Sequence, residues 1–209
     1  MIGILGGTFD PVHIGHLRTA LELYQALPFA EIRFVPCGQP PHRHLPRATA
    51  DQRLTMLRLA LGDQQGFNID ERELQREGPS YMVDTLSSLR AEFPDVPLSL
   101  IVGLDVFRDF DKWHRWQEIP ALAHIVVVHR PASAIVKEGR VFEMLDKIRI
   151  EEPAQLLQQA AGSLLLWPVR QLDISSTDIR SLIAEHKSPR YLLPENVNDY
   201  IASEGLYRS

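Results

Sequence analysis

IGILGGTFDPVHIGH, residues 2–16, is the stretch on which the fold turns. Ile2 to Leu5 is a short apolar run that stops at Gly6-Gly7, the pattern of a buried strand ending in a tight turn. Pro11 then marks a corner. Beyond it Leu17, Ala20, Leu21 and Tyr24 recur at helical spacing, which predicts a helix from His16 to Leu27. Strand, glycine turn and helix in that order make the opening half of a βαβ unit.

The same alternation continues outward. Ile32 to Val35 reads as a strand and Asp51 to Leu61 as a helix, with Asp51 able to cap it. Phe67 to Leu74 reads as an alternating strand. Val83 to Phe93 reads as a helix that Pro94 stops. Leu98 to Val102, Ile125 to Val128 and Leu164 to Trp167 are further apolar strands. Trp113 to Leu122 is a short helical piece interrupted at Pro120, and helices at Ser176 to His186 and Pro194 to Ser203 close the chain. Short, nearly continuous apolar strands separated by helices imply a parallel sheet covered on both faces. The expected fold is α/β, a doubly wound Rossmann-like parallel sheet with helices on both faces, in one domain over residues 1–209. A small C-terminal helical part starts at about residue 174. In such sheets ligands bind beyond the carboxyl ends of the strands, near the point where strand order reverses. The residues after Leu5, Val35 and Val102 are therefore the ones to read for chemistry.

Composition narrows the function classes. With 209 residues and 44% hydrophobic content the chain can bury a core, so disorder is excluded as its main state. Its formal charge of −5 lacks the basic footprint of a nucleic-acid binder. An anion must then be met by a local site. One cysteine, Cys37, allows no intrachain disulfide and no multi-cysteine zinc site. No apolar run is long enough to span a membrane, and the first residues lack a basic leader, so a cytoplasmic protein is expected. Pro36 to Pro46 reads as a loop, rich in proline and locally basic through His42, Arg43, His44 and Arg47.

Two motifs suit phosphate. In Gly6 to His16 the glycines let the backbone approach a ligand closely, and helix-entry N–H groups favour an anion. His13 and His16, three apart, put two imidazoles on one side, where they can donate to phosphate oxygens. The pair lacks a third ligand for zinc. The G-x-G-x-x-G and Walker A patterns are absent, which counts against a dehydrogenase and a P-loop kinase. The second motif, ISSTDIR at residues 174–180, opens a helix with capping hydroxyls. It adds Arg180, a forked donor suited to phosphate. Taken alone, each motif also fits a plain surface turn or a well-capped helix.

Taken together, the segments resemble the nucleotidyltransferase superfamily with an H-x-G-H motif, here His13-Ile14-Gly15-His16 after Gly6-Gly7-Thr8-Phe9-Asp10-Pro11. Ile174 to Arg180 resembles the same superfamily's second motif. Pro40-Pro41-His42-Arg43, Ser80-Tyr81, Asp84-Thr85-Leu86, Gly103-Leu104-Asp105, Lys112-Trp113 and the tail from Tyr191 to Tyr207 narrow the resemblance to bacterial nicotinate-nucleotide adenylyltransferases. Residues 133–162 are covered least. Arg43 stands where Lys is common in that family, Leu104 where a small residue is, and Met82 where Thr is.

The resemblance implies transfer of AMP from ATP to nicotinate mononucleotide, giving deamido-NAD and pyrophosphate in NAD biosynthesis. It implies His13, His16 and Arg180 as catalytic residues. Gly7, Thr8, Phe9, Gly103, Asp105, Ser176 and Thr177 would join them around ATP. Thr85, Trp113, His114 and Arg43 would take the mononucleotide, Trp113 by stacking and Thr85 with the backbone near His114 at its carboxylate. Mg²⁺ would accompany ATP. No protein metal site, nucleic acid or membrane partner is implied. The alternatives are a related transferase, such as phosphopantetheine adenylyltransferase, and a non-catalytic nucleotide-binding module on the same fold.

Overall fold

A computed structural model of the protein describes residues 1–41, 45–131 and 139–208. Its strands are β1 (Ile2–Gly7), β2 (Glu31–Pro36), β3 (Phe67–Ile69), β4 (Leu98–Gly103), β5 (His124–His129), β6 (Arg149–Ile150) and β7 (Leu164–Pro168). All pairings between them are parallel, in the order β3-β2-β1-β4-β5-β7-β6. The chain leaves β1 toward β2 on one side and returns at β4 on the other. The order therefore reverses between β1 and β4, and a crevice is expected at their carboxyl ends.

The helices are α1 (Ile14–Ala26), α2 (Ala50–Leu61), α3 (Arg72–Gln75), α4 (Met82–Glu92), α5 (Leu104–Arg108), α6 (Ile119–Leu122), α7 (Arg140–Leu145), α8 (Ser176–Ala184) and α9 (Glu195–Ser203). Alternate residues of each strand feed opposite layers. Val126 and Val128 of β5 join the apolar layer under α1, α2, α8 and α9, with Leu23, Met56, Leu57, Ile179 and Ile201. Ile125 and Val127 join the opposite layer, with Val83, Leu86 and Leu89 of α4 and Phe107 and Phe142. A strand buried on both faces has no room for polar alternation, which is why these strands read as continuous apolar runs. Each buried Leu, Val or Ile contributes roughly 1.5–3 kcal/mol of hydrophobic stabilisation.

Four sequence expectations change. Helix α2 is capped by Thr49, not Asp51: Thr49 Oγ1 accepts from Gln52 N–H at 3.2 Å, while Gln52 Oε1 accepts from Thr49 N–H at 3.0 Å. That reciprocal box satisfies two N–H groups, and Asp51 sits two positions past the cap, inside the first turn. The expected strand to Leu74 ends at Ile69. Asp70 accepts the Arg72 N–H at 3.2 Å and the Arg72 guanidinium at 2.7 Å, which turns the chain into α3. Pro120 does not interrupt a helix: a 3₁₀ turn at Trp116–Glu118 precedes α6, and Pro120 occupies its first turn, where a missing N–H costs nothing. Finally, α5, α7 and β6 were not expected, being too short to show a period.

Candidate active site

Helix α1 starts at Ile14, so His13 is its N-cap residue and not part of its first turn. The two imidazoles nevertheless come together: the rings of His13 and His16 stack with centroids 3.7 Å apart. Phe9, at a left-handed φ of 49°, meets His16 edge-on at 5.2 Å. A Cβ on Gly15 would stand 3.0 Å from the His13 ring, a tight approach that would press on that ring.

Burial sets the charge of this pair. It pulls the His13 pKa down to about 4 and the His16 pKa to about 3, His16 also being disfavoured as a cation by His13. Both rings are therefore neutral at pH 7. His16 Nδ1 accepts the His13 N–H at 3.3 Å, which places the proton of the neutral ring on Nε2 as a donor. His13 Nδ1 is buried and has no partner among the described residues. A buried polar atom without a protein hydrogen bond is open to water or to a ligand.

The helix-entry N–H groups of α1 are less available than the sequence suggests. The Ile14 N–H donates to the Leu192 carbonyl at 3.0 Å, so the C-terminal segment occupies that donor.

The second motif lands on the first. Ser175 caps α8, its Oγ accepting the Asp178 N–H at 3.0 Å. Ser176 Oγ donates to the Pro11 carbonyl at 2.8 Å, and Arg180 Nη1 donates to the Asp10 carbonyl at 2.7 Å. Arg180 Nη2 also reaches Thr177 Oγ1 at 3.2 Å. Segments about 165 residues apart in the chain thus form one wall, with hydroxyls and a guanidinium beside the two histidines.

Asp10, quoted with the first motif but given no role there, organises that wall. Its carboxylate accepts the N–H groups of Arg47 and Ala48 at 2.9 and 3.1 Å and the Tyr207 hydroxyl at 2.8 Å. Gly7 ends β1, and Thr8 and Phe9 lead from it to Asp10. Gly103 ends the neighbouring strand β4, on the far side of the crevice. Asp105 is exposed, with Oδ1 only 2.5 Å from where a Cβ on Gly103 would stand. Leu104 turns into the core.

The mononucleotide residues divide. Trp113 is half-buried, its ring 5.0 Å from Phe110, and His114 is exposed with its ring 4.2 Å from Tyr81. Trp116 is buried, so of the two tryptophans Trp113 is the one able to present a ring face. Thr85 is fully buried. Its hydroxyl donates to Glu73 at 2.6 Å and accepts from Arg76 at 3.2 Å. A donor already committed to Glu73 is not free for a ligand carboxylate, which leaves Arg76 as a cation at that position that the sequence reading missed. Burial raises the Glu73 pKa, partly offset by the Thr85 hydrogen bond. Arg43 and His42 lie outside the described residues.

Comparisons with known proteins give the family and the fold. A family model described as cytidylyltransferase-like matches residues 4–182. The chain is 51% identical over 208 residues to the "Probable nicotinate-nucleotide adenylyltransferase" of Methylococcus capsulatus, covering 99% of each chain. It is 48% identical to the protein of the same name in Acidithiobacillus ferrooxidans, covering 99% of this chain and 95% of that one. Among solved structures it resembles the Plasmodium falciparum nicotinic acid mononucleotide adenylyltransferase complexed with NaAD. The TM-score is 0.74 at 18% identity, over 99% of this chain and 96% of that one, a likeness of fold.

Proposed function

The chain belongs to the nicotinate-nucleotide adenylyltransferases of the cytidylyltransferase-like superfamily, and from that premise we propose how its own residues carry the reaction. It is an enzyme of NAD biosynthesis that transfers AMP from ATP to nicotinate mononucleotide. The mononucleotide phosphate oxygen forms a bond to the α-phosphorus. The bond from that phosphorus to the α,β-bridging oxygen breaks, and pyrophosphate leaves with its electron pair. A phosphate dianion needs no general base, so the protein's work is placement and charge stabilisation.

One observation carries the assignment of roles: the Ser176 and Arg180 bonds to the Pro11 and Asp10 carbonyls, which join the two phosphate motifs into one site. In our reading His16 donates from Nε2 to the α-phosphate, and His13 supplies the second imidazole. Gly7, Thr8 and Phe9 line the triphosphate. Ser176, Thr177 and Arg180 hold the β- and γ-phosphates and then the leaving pyrophosphate. Gly103 and Asp105 border the nucleotide across the crevice. Trp113 stacks on the pyridine ring, with His114 beside it and Arg76, which Thr85 holds, near its carboxylate.

Among the described residues no three His, Cys, Asp or Glu side chains are grouped to hold a metal ion. We infer that Mg²⁺ enters with ATP, held mostly by phosphates and waters, where it would neutralise triphosphate charge. No helix of the described residues is long and apolar enough to cross a membrane, and with a single cysteine the setting we propose is the cytoplasm.

The test is pyrophosphate release from Mg-ATP with nicotinate mononucleotide, nicotinamide mononucleotide or phosphopantetheine as acceptor. Release is expected to be fastest with nicotinate mononucleotide. Faster release with phosphopantetheine would keep the phosphate site and overturn the acceptor assignment.

A further inference from the structure

Arg53 lies on the face of α2 that also carries Leu54, Met56, Leu57 and Leu61, and it is only 1% exposed. Its neighbours in that layer are apolar, and its guanidinium has no carboxylate within ion-pair distance among the described residues. Burial lowers its pKa, and the negative charge of the Asp10 carboxylate acts against that from beyond ion-pair distance. Nη1 donates to the Thr8 carbonyl at 2.8 Å, and Nη2 reaches the Gly38 carbonyl at 3.5 Å. Nε is buried with no partner among the described residues.

A charge buried against two carbonyls costs stability compared with an apolar side chain of similar size. Met or Leu at this position would fill the same layer without that cost. The placement makes sense through the carbonyls themselves. Thr8 belongs to the loop that runs from β1 into the histidine motif. Gly38 belongs to the loop that follows β2 and leads to the basic, proline-rich segment.

Each loop is also held from its other side. Gly38 and Gln39 donate their N–H groups to Ser80 Oγ at 3.0 and 3.2 Å, and the Cys37 N–H donates to the Gly7 carbonyl at 2.9 Å. A Cβ on Gly38 would meet the Glu73 carbonyl at 2.3 Å, so the backbone there is pressed against its neighbour and only glycine fits. The fork of Arg53 is a side-chain strut between two loops that the Cys37–Gly7 backbone hydrogen bond also joins at their base. Its planar geometry spans two acceptors, which a single ammonium does not.

We propose that Arg53 is a positioning residue for adenylyl transfer: by binding the Thr8 and Gly38 carbonyls it fixes the spacing of the two loops that flank the reacting phosphates. This rests on the adenylyltransferase reading above. Arg53 touches no reacting atom. Its effect runs through the placement of Thr8, Phe9 and the histidines, so it belongs to kcat more than to substrate affinity.

The test compares wild type, Arg53→Met and Arg53→Lys, with kcat and the KM for ATP measured per folded molecule and urea midpoints measured in parallel. A misplacement of loops by about an ångström predicts a kcat roughly 100-fold lower in R53M, with the ATP KM changed less than about fivefold. R53K, which keeps one donor and the charge, should recover part of that loss and sit roughly tenfold below wild type. A folded R53M with kcat within about threefold of wild type would overturn the proposal, as would a rise in KM with kcat unchanged. If R53M does not fold, R53K decides: kcat within about threefold of wild type overturns it. An inactive wild type with every acceptor would instead overturn the reaction assignment and this inference with it.

Discussion

At the scale of single residues the site is governed by what burial does to two imidazoles. Neutral rings donate one proton each and carry no charge to repel one another, so they stack at 3.7 Å without a carboxylate to compensate. The same burial links catalysis to stability. The folded-state pKa values, about 4 for His13 and about 3 for His16, lie below the ordinary 6.5. Below pH 6.5 the unfolded chain takes up protons that the folded chain refuses. This part of the stability is therefore complete above pH 6.5 and is lost as the pH falls toward 3. Each ring contributes a slope of at most about 1.4 kcal/mol per pH unit within that window. His16→Ala should lower kcat by roughly 10²–10³ through loss of a donor to the transition state. It should also flatten the decline of unfolding free energy between pH 6 and 4. Turnover at pH 7.5 and urea titrations across that range measure both effects. Wild-type turnover would remove His16 from the mechanism, and an unchanged slope would remove the buried neutral ring from the stability argument.

At the scale of elements, the segment from Phe110 to Leu122 shows how neighbours of the same type receive different work. It is built of tight turns: 3₁₀ at Phe110–Lys112, 3₁₀ at Trp116–Glu118, then α6. Arg115 takes a left-handed φ of 50° between the two tryptophans, which sends Trp116 inward and leaves Trp113 half-exposed. Trp113→Ala should raise the KM for the mononucleotide at least about tenfold with a small change in melting temperature. Trp116→Ala should cost about 3–5 kcal/mol of stability and leave that KM nearly unchanged in the folded fraction. Steady-state kinetics with thermal melts of both variants separate the roles, and the reverse pattern would exchange them. The sequence preference for Trp113 came from the resemblance carried by the dipeptide Lys112-Trp113, and it falls on the more exposed of the two rings. The histidines and the α8 cap were legible for a related reason, since spacing and capping chemistry are local in sequence. Thr85 was placed correctly at the start of α4, yet its partners Glu73 and Arg76 arrive through α3, a four-residue helix too short to show a period. Arg53 was invisible because a single Arg in an amphipathic helix reads as part of the wet face. Its partners are 45 and 15 residues away.

For the whole molecule, the question is why the two ends of a 209-residue chain need to meet. The Tyr207 hydroxyl donates to Asp10 Oδ1 across 197 positions, and the Leu192 carbonyl accepts from Ile14 at the head of α1. Gly205 and Tyr207, at left-handed φ of 64° and 63°, fold the tail back after α9 so that the phenol reaches the first loop. Burial and the Asp10 carboxylate hold that phenol firmly protonated, so it remains a donor at any working pH. The C-terminal helices thereby roof the β1–α1 loop instead of trailing from the sheet, and the phosphate wall depends on residues up to 197 positions downstream. Tyr207→Phe removes only the oxygen. Asp10 keeps the Arg47 and Ala48 N–H groups, so the loop should stay in place and kcat should hold within about threefold. The lost buried hydrogen bond should cost about 1–3 kcal/mol, which for a chain of this length lowers the melting temperature by roughly 2–4 °C per kcal/mol. Removing residues 204–209 also strips Leu206 and the Tyr207 ring from the core layer, and should cost more in melting temperature and reduce turnover. Calorimetry and pyrophosphate release on both variants check the pair. A tail deletion as stable and active as wild type would show that the first loop stands without its roof.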